Sequence, residues 1–443
     1  MMPRMDPAQT GKYIEQLNAP EASARLEALQ RLARGQHGLA PARSGGAPER
    51  APDAPQDVNN HIHTFYSFSP YSPAKAVWMS LRSGLATAGI MDHDSISGAE
   101  EFIAAGRAVG LATTVGLECR CDFAGTSLEG RRVNNPDQLS VAYVALHGIP
   151  HPRIPEAREY FRPLQAERNR RNRRMVERLN RALAQPELVL DFQRDVLPLS
   201  RHAEDGTVTE RHILFALALR LIQTCGRGRP LVAYLEDTLR LPLASKVRAY
   251  LLDPANQHYA YDLLGALKSD LVEAFYEQAR AECPGVRDLL AFARRIGAIS
   301  AYAYLGDVGE SVTGDKKSQR FEDGFLEELF QVIRELGFQA VTYMPNRNTP
   351  AQLERVQSLC VRHGLLQVSG VDINSPRQSF ACPELRQPQF RHLIEATWAL
   401  IGHEQEAGRD PARGLFAPET LRRYPELPER VAAYAALGRQ LAS

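Results

Sequence analysis

Val58-Asn59-Asn60-His61-Ile62-His63 is a short run that reads as a β-strand ending in two imidazoles. Side chains two apart on a strand leave the same face, so His61 and His63 point at one place. Asp92-His93-Asp94 and Glu118 also stand at the ends of apolar runs. Several strand ends thus converge on one point with imidazole and carboxylate donors, a set that suits Zn, Mn or Fe. An enzyme is the leading class.

Working outward from this strand, further apolar runs lie at Gly89–Met91, Ala112–Phe123, Ser140–Leu146, Ala298–Leu305, Ala340–Met344 and Leu366–Ile373. Helical patterns at Pro73–Ser83, Gly98–Val109, Phe325–Leu336 and Thr349–His363 separate most of them. Such alternation predicts an α/β fold with a parallel sheet, and seven strands suggest a closed or nearly closed barrel. Active sites of barrels form at the carboxyl ends of the strands, where His61, His63, Asp92, Asp94, Glu118 and Asp372 fall.

The expected organisation is a helical arm over 1–36, an Ala/Pro/Gly/Arg-rich linker over 37–56, and barrel segments over 57–152 and 287–395. A helical insertion over 153–286 would form a lid or side wall, and 396–443 a helical extension packed outside. The 443 residues carry a formal net charge of +1, so only a local cluster could attract an anionic partner. The six cysteines form no C-x-x-C pair and read as reduced, buried thiols. Neither a secretory signal nor a membrane span is evident, and the expected location is the cytoplasm.

These motifs, in order, resemble the PHP (polymerase and histidinol phosphatase) family over 57–150 and 287–385. They are the H-x-H of His61/His63, "MDHDSISG", the "VGLE" ending in Glu118 and the "SGVDIN" around Asp372. The resemblance implies a distorted seven-stranded (β/α) barrel with metal-dependent phosphoesterase activity. The insertion is similar to that of the nucleotide-phosphatase branch. It also implies a metal site of His61, His63, Glu118 and Asp372, with His93 and His147 as candidates for an additional ion. Three positions depart from the family pattern: Phe68 replaces a carboxylate, Tyr302 stands in an Ala-His-Pro strand end, and Asn374 replaces a histidine. One divalent ion, or at most two, is therefore expected.

Fewer ions leave more phosphate charge for protein cations to neutralise. Lys316, Lys317, Arg347 and Arg377, on polar loops after the later strands, are the candidates. Asp94 or His93 is the candidate general base or acid, and Tyr302 or Tyr304 a hydrogen-bond donor to phosphoryl oxygen. Asp92 and Asn374 are expected to orient ligands. The arginine run Arg168, Arg170, Arg171, Arg173, Arg174, Arg178 and Arg181 reads as a solvated face or as reaching a substrate phosphate. A nucleic-acid contact is the weaker reading, because no aromatic residues interleave to stack bases. The expected function is hydrolysis of a small phosphorylated metabolite or nucleotide. The alternative is a degenerate PHP module that senses a metal or phosphorylated ligand without turnover.

Overall fold

The computed structural model describes residues 6–35, 57–308 and 319–442. The expected linker over 37–56, Lys316 and Lys317 lie outside the described residues. Seven strands form one sheet in the order β1 (Asp57–Ile62), β2 (Leu85–His93), β3 (Ala112–Asp122), β4 (Val141–His147), β5 (Ile299–Ala303), β6 (Ala340–Tyr343) and β7 (Leu366–Ser369). The order follows the chain, and the sheet curls without closing into a continuous barrel. A single parallel bridge, Ile62 to Ile373, spans the gap, with His63 N–H donating to Ile373 O at 3.0 Å. Asn59 and Asn60 tighten this seam by donating to Val371 O at 3.1 Å and to Ser369 O at 2.8 Å. Gly370 is required here: a Cβ would sit 2.5 Å from His61 Cβ.

The sheet is mixed, which corrects the all-parallel expectation. β4 runs antiparallel to both β3 and β5. No helix lies between β3 and β4, and without a helical crossover a strand cannot return parallel to its predecessor.

The two faces of the strands feed different cores. Val115, Leu117, Val144, Tyr302 and Val341 pack outward under the surrounding helices. Met91, Ala145, Ala301, Ala340 and Val368 face the concave side, where Trp398, Leu400 and Ile401 of the helix Arg391–Arg409 join them. That helix plugs the base of the curl, and the boundary expected at 395/396 falls inside it. The final helix, Leu427–Ala442, packs onto the plug at Gly402 and Gly438.

Helices α1 (Pro7–Gln16) and α2 (Ala22–Gly35) dock beside α3 (Pro73–Arg82) and α4 (Ala99–Val109). Buried Arg25 anchors the arm through Glu101, at 2.5 Å, and lies over the Phe65 ring. Between β4 and β5 the chain is helical, led by α5 (Ile154–Leu183) and α6 (Glu210–Cys225).

Phe68, the residue at the lost carboxylate position, belongs to the core of this helical segment. Its ring meets His212 at 5.0 Å and Phe215 at 5.7 Å. The site lost a charge and gained an apolar anchor that fastens the loop after β1 to α6. Buried Phe→Ala changes cost about 3–5 kcal/mol. Phe68→Ala should therefore lower the thermal midpoint and expose the 64–72 loop to protease. An unchanged midpoint and cleavage pattern would contradict the anchoring role.

Candidate metal centre

His61, His63 and Glu118 bring one ligand atom each to within 4.8 Å of one another, and all three are buried. Glu118 Oε1 lies 3.3 Å from His61 Nε2, 3.4 Å from His63 Nε2 and 3.0 Å from His93 Nδ1. Asp372 Oδ1 stands 3.1 Å from His63 Nε2. The ladder register explains the meeting of β2 with β3, since His93 pairs directly with Glu118. On β1 the register slips, so that three steps from Asn59 to Ile62 oppose two on β2. Such bulges re-aim side chains beside functional sites.

The donor set fits a divalent ion. His63 Nε2 and His93 Nδ1 are sealed from solvent with no well-aligned hydrogen-bond partner among the described residues, which is costly unless something else occupies them. Burial raises the Glu118 carboxyl, but the imidazoles of His93 and His61 outweigh it and bring it down to about 2. Burial likewise works against Asp372, yet His63 holds it well below the usual carboxylate range. Both acids are anionic at neutral pH.

Asp92 and Asn374 lie beside this group. Asp92 is fully buried and accepts from Thr64 N–H, Thr64 Oγ1 and Ser67 Oγ, each at 2.6 Å. It fixes the turn that follows His63. Asn374 Nδ2 donates to Asp372 Oδ1 at 2.6 Å, so the amide holds a ligand where a histidine was expected.

Several other assignments are corrected. Asp94 is not free to act as a base, because its carboxylate is bound by Arg168. It sits in the left-handed region at φ 48°, pinned by Gln165 Nε2 donating to its carbonyl at 2.7 Å. Burial drives His93 down to about 3, which suits a ligand better than a proton acceptor at neutral pH. Tyr302 lies on the outer face, opposite Val144 in the ladder, so it cannot reach the cluster. Tyr304 donates to Asp323 Oδ1 at 2.5 Å. Arg377 forms a bidentate pair with Asp262, at 2.6 and 2.8 Å, and Arg347 donates to Leu305 O at 3.1 Å. Tyr304 and Arg377 thus spend their polar groups on partners outside the cluster.

His147 is buried, pushed down to about 3 by burial and by His61, and its Nε2 has no partner. It faces the concave side from the base end of β4, one pair below the level of Glu118.

The arginine helix is also not a free basic face. Arg168 and Arg171 are buried, and Glu210 accepts from Arg168 at 3.0 Å, Arg171 at 2.5 Å and Arg120 at 3.2 Å. Glu282 takes Arg120 at 2.9 Å and Arg171 at 2.7 Å. With Asp94 this makes three guanidiniums and three carboxylates. Exposed Arg170 and Arg174 pair with Glu167 and Glu277.

Two residues were missed in the sequence. Arg211, in the first turn of α6, acts through its charge on the Asp372 carboxylate. It stands alone in "TERHI", away from the dense run. Tyr143, on β4, packs its ring 5.7 Å from His93. Period two from His147 would have found it.

Acid should loosen the metal-free protein. Burial lowers His93, His147 and His212 to about 3 and His403 to about 4, while unfolded histidine titrates near 6.5. Between these values the unfolded chain binds more protons, so stability falls as pH falls below 6.5. Burial also lowers His363 and His392, which act in the same sense. Burial raises Glu322 to about 7 and raises Asp92, Asp94 and Glu404, which act in the opposite sense, as does His61, raised. The lowered histidines are the more numerous and each acts from about pH 6.5 downward, so the thermal midpoint should be lower at pH 5 than at pH 7. An equal or higher midpoint at pH 5 would contradict this balance.

No family model and no curated protein matches the chain. Among solved structures, it is similar to a "putative metal-dependent phosphoesterase" from Bifidobacterium adolescentis, with a TM-score of 0.47 and 20% identity over 74% of this chain and 94% of that one. It is also similar to an amidohydrolase from Chromobacterium violaceum bound to sulfate without metal, with a TM-score of 0.45 and 16% identity over 74% and 90%.

Proposed function

We propose that the chain is a metal-dependent phosphoesterase acting on a small phosphorylated metabolite or nucleotide. The observation that carries this reading is the convergence of His61 and His63, at the end of β1, with Glu118 of β3, and with Asp372, which follows β7, beside them. These four residues would hold one divalent ion, Mn, Zn or Fe, and His93 is placed to add a fifth donor. A bound divalent ion supplies two things here: a lower pKa for a water nucleophile and charge neutralisation on the phosphoryl group. Arg211 supplies positive charge on the Asp372 side and is the candidate protein cation to meet a phosphate oxygen. Asp92 and Asn374 keep His63 and Asp372 in position.

The second reading, a sensor without turnover, is favoured by one observation: neither Asp94 nor His93 is poised as a general base. The experiment that separates the two is a phosphatase panel with Mn, Zn, Fe and Mg supplied one at a time. Release of phosphate from any substrate supports the enzyme. No release with any metal, from protein shown to bind metal, supports the sensor.

A further inference from the structure

Tyr143 is paired with Arg120 across β3 and β4, and Ala145 with Glu118. The tyrosine therefore stands one inward-facing step above the Glu118 carboxylate, towards the mouth of the curl. Its ring lies against His93, whose Nδ1 is 3.0 Å from Glu118 Oε1. Its main chain is fixed on both sides by one amide: Tyr143 N–H donates to Asn134 Oδ1 at 2.7 Å, and Asn134 Nδ2 donates to Tyr143 O at 2.8 Å. The same Nδ2 donates to Ala303 O at 2.6 Å, which ties the end of β4 to β5.

The side chain is half-buried, and among the described residues its hydroxyl has no hydrogen-bond partner. The nearby guanidiniums are already committed, Arg120 to Glu210 and Glu282 and Arg168 to Asp94 and Glu210. A firmly mounted tyrosine whose ring lies against His93, and whose hydroxyl is held by no described residue, can donate to a group that is not part of the chain.

We propose that Tyr143 is a substrate-contacting residue, its hydroxyl donating to a non-bridging oxygen of a phosphoryl group seated against His61, His63 and Glu118. This rests on the phosphoesterase reading above. A neutral donor binds the anion without adding a charge beside the buried histidines.

The test is calorimetric titration of inorganic phosphate into metal-loaded full-length protein, wild type and Tyr143→Phe, with metal content and thermal midpoint measured on the same samples. Phenylalanine keeps the ring against His93 and removes only the O–H. The expected result is phosphate affinity weakened about tenfold, the scale of one hydrogen bond to a charged group, with metal content and midpoint unchanged. Equal phosphate affinity in the two proteins overturns the role of Tyr143 and leaves the phosphoesterase reading standing. Loss of metal from Tyr143→Phe also overturns it, since the tyrosine would then act through the metal ligands. Failure of the wild type to bind phosphate at millimolar concentration overturns both.

Discussion

His61→Ala and Glu118→Gln should each abolish stoichiometric metal binding and lower phosphatase turnover by more than about 100-fold. Even residues that merely orient a ligand typically cost about 10–100-fold in metal affinity or activity, and these two are placed as the ligands themselves. Glu118 has the larger expected effect, because its Oε1 is the atom that His61, His63 and His93 all approach. Removing its charge leaves three imidazoles facing one another with Asp372, beside His63, as the anion of the group. Elemental analysis of each purified variant, alongside turnover on the substrate found in the panel, checks this. Full metal occupancy in both variants would remove the metal centre from this position.

Glu210→Leu should destabilise the protein by about 3–5 kcal/mol, the cost of breaking a buried ion pair by deleting one partner. Three guanidiniums meet this one carboxylate, and arginine cannot shed its proton to escape. The damage should extend to the site, because Arg168 also holds Asp94, which follows His93 directly. Chemical denaturation of the variant measures the loss. The comparison is Glu236→Ala, which breaks a solvent-exposed pair with Arg248 and should change little. Equal, small effects from both would mean that the six charges are not a structural unit.

Much of this was legible in the sequence because the strands are short apolar runs with chemistry at their ends. All seven strands were visible, and His61, His63 and Glu118 do converge. The direction of β4 was not read from Val141–His147, whose pattern is the same both ways. The signal lay instead in the preceding residues 123–140, which have no helical periodicity. Arg168 and Arg171 were read with their exposed neighbours because their carboxylate partners lie far along the chain, at Asp94, Glu210 and Glu282. Tyr302 stood out for its place in a motif, whereas the pleat decides which tyrosine faces inward. Phe68 read as a loss; that it serves a second core is visible only once α6 is seated on it.

The reversed β4 also has a mechanical consequence. It delivers the chain to the base of the curl, where His151 touches Glu404 of the plug. From there α5 climbs the outside, and Gln165 and Arg168 reach the Asp94 turn at the mouth. At 1.5 Å per residue, Ile154 to Arg168 is a rise of about 20 Å. The helical segment over the site is thus held at the base of the curl as well as at the mouth, where Arg168, Phe68 and Arg377 fasten it, and is not a flap on a flexible stalk. Within α5 the built-in compliance is Pro163, just below the mouth, where a backbone hydrogen bond is missing. Any widening of the mouth would be a bending of that helix at Pro163, resisted by every contact α5 makes on the way up.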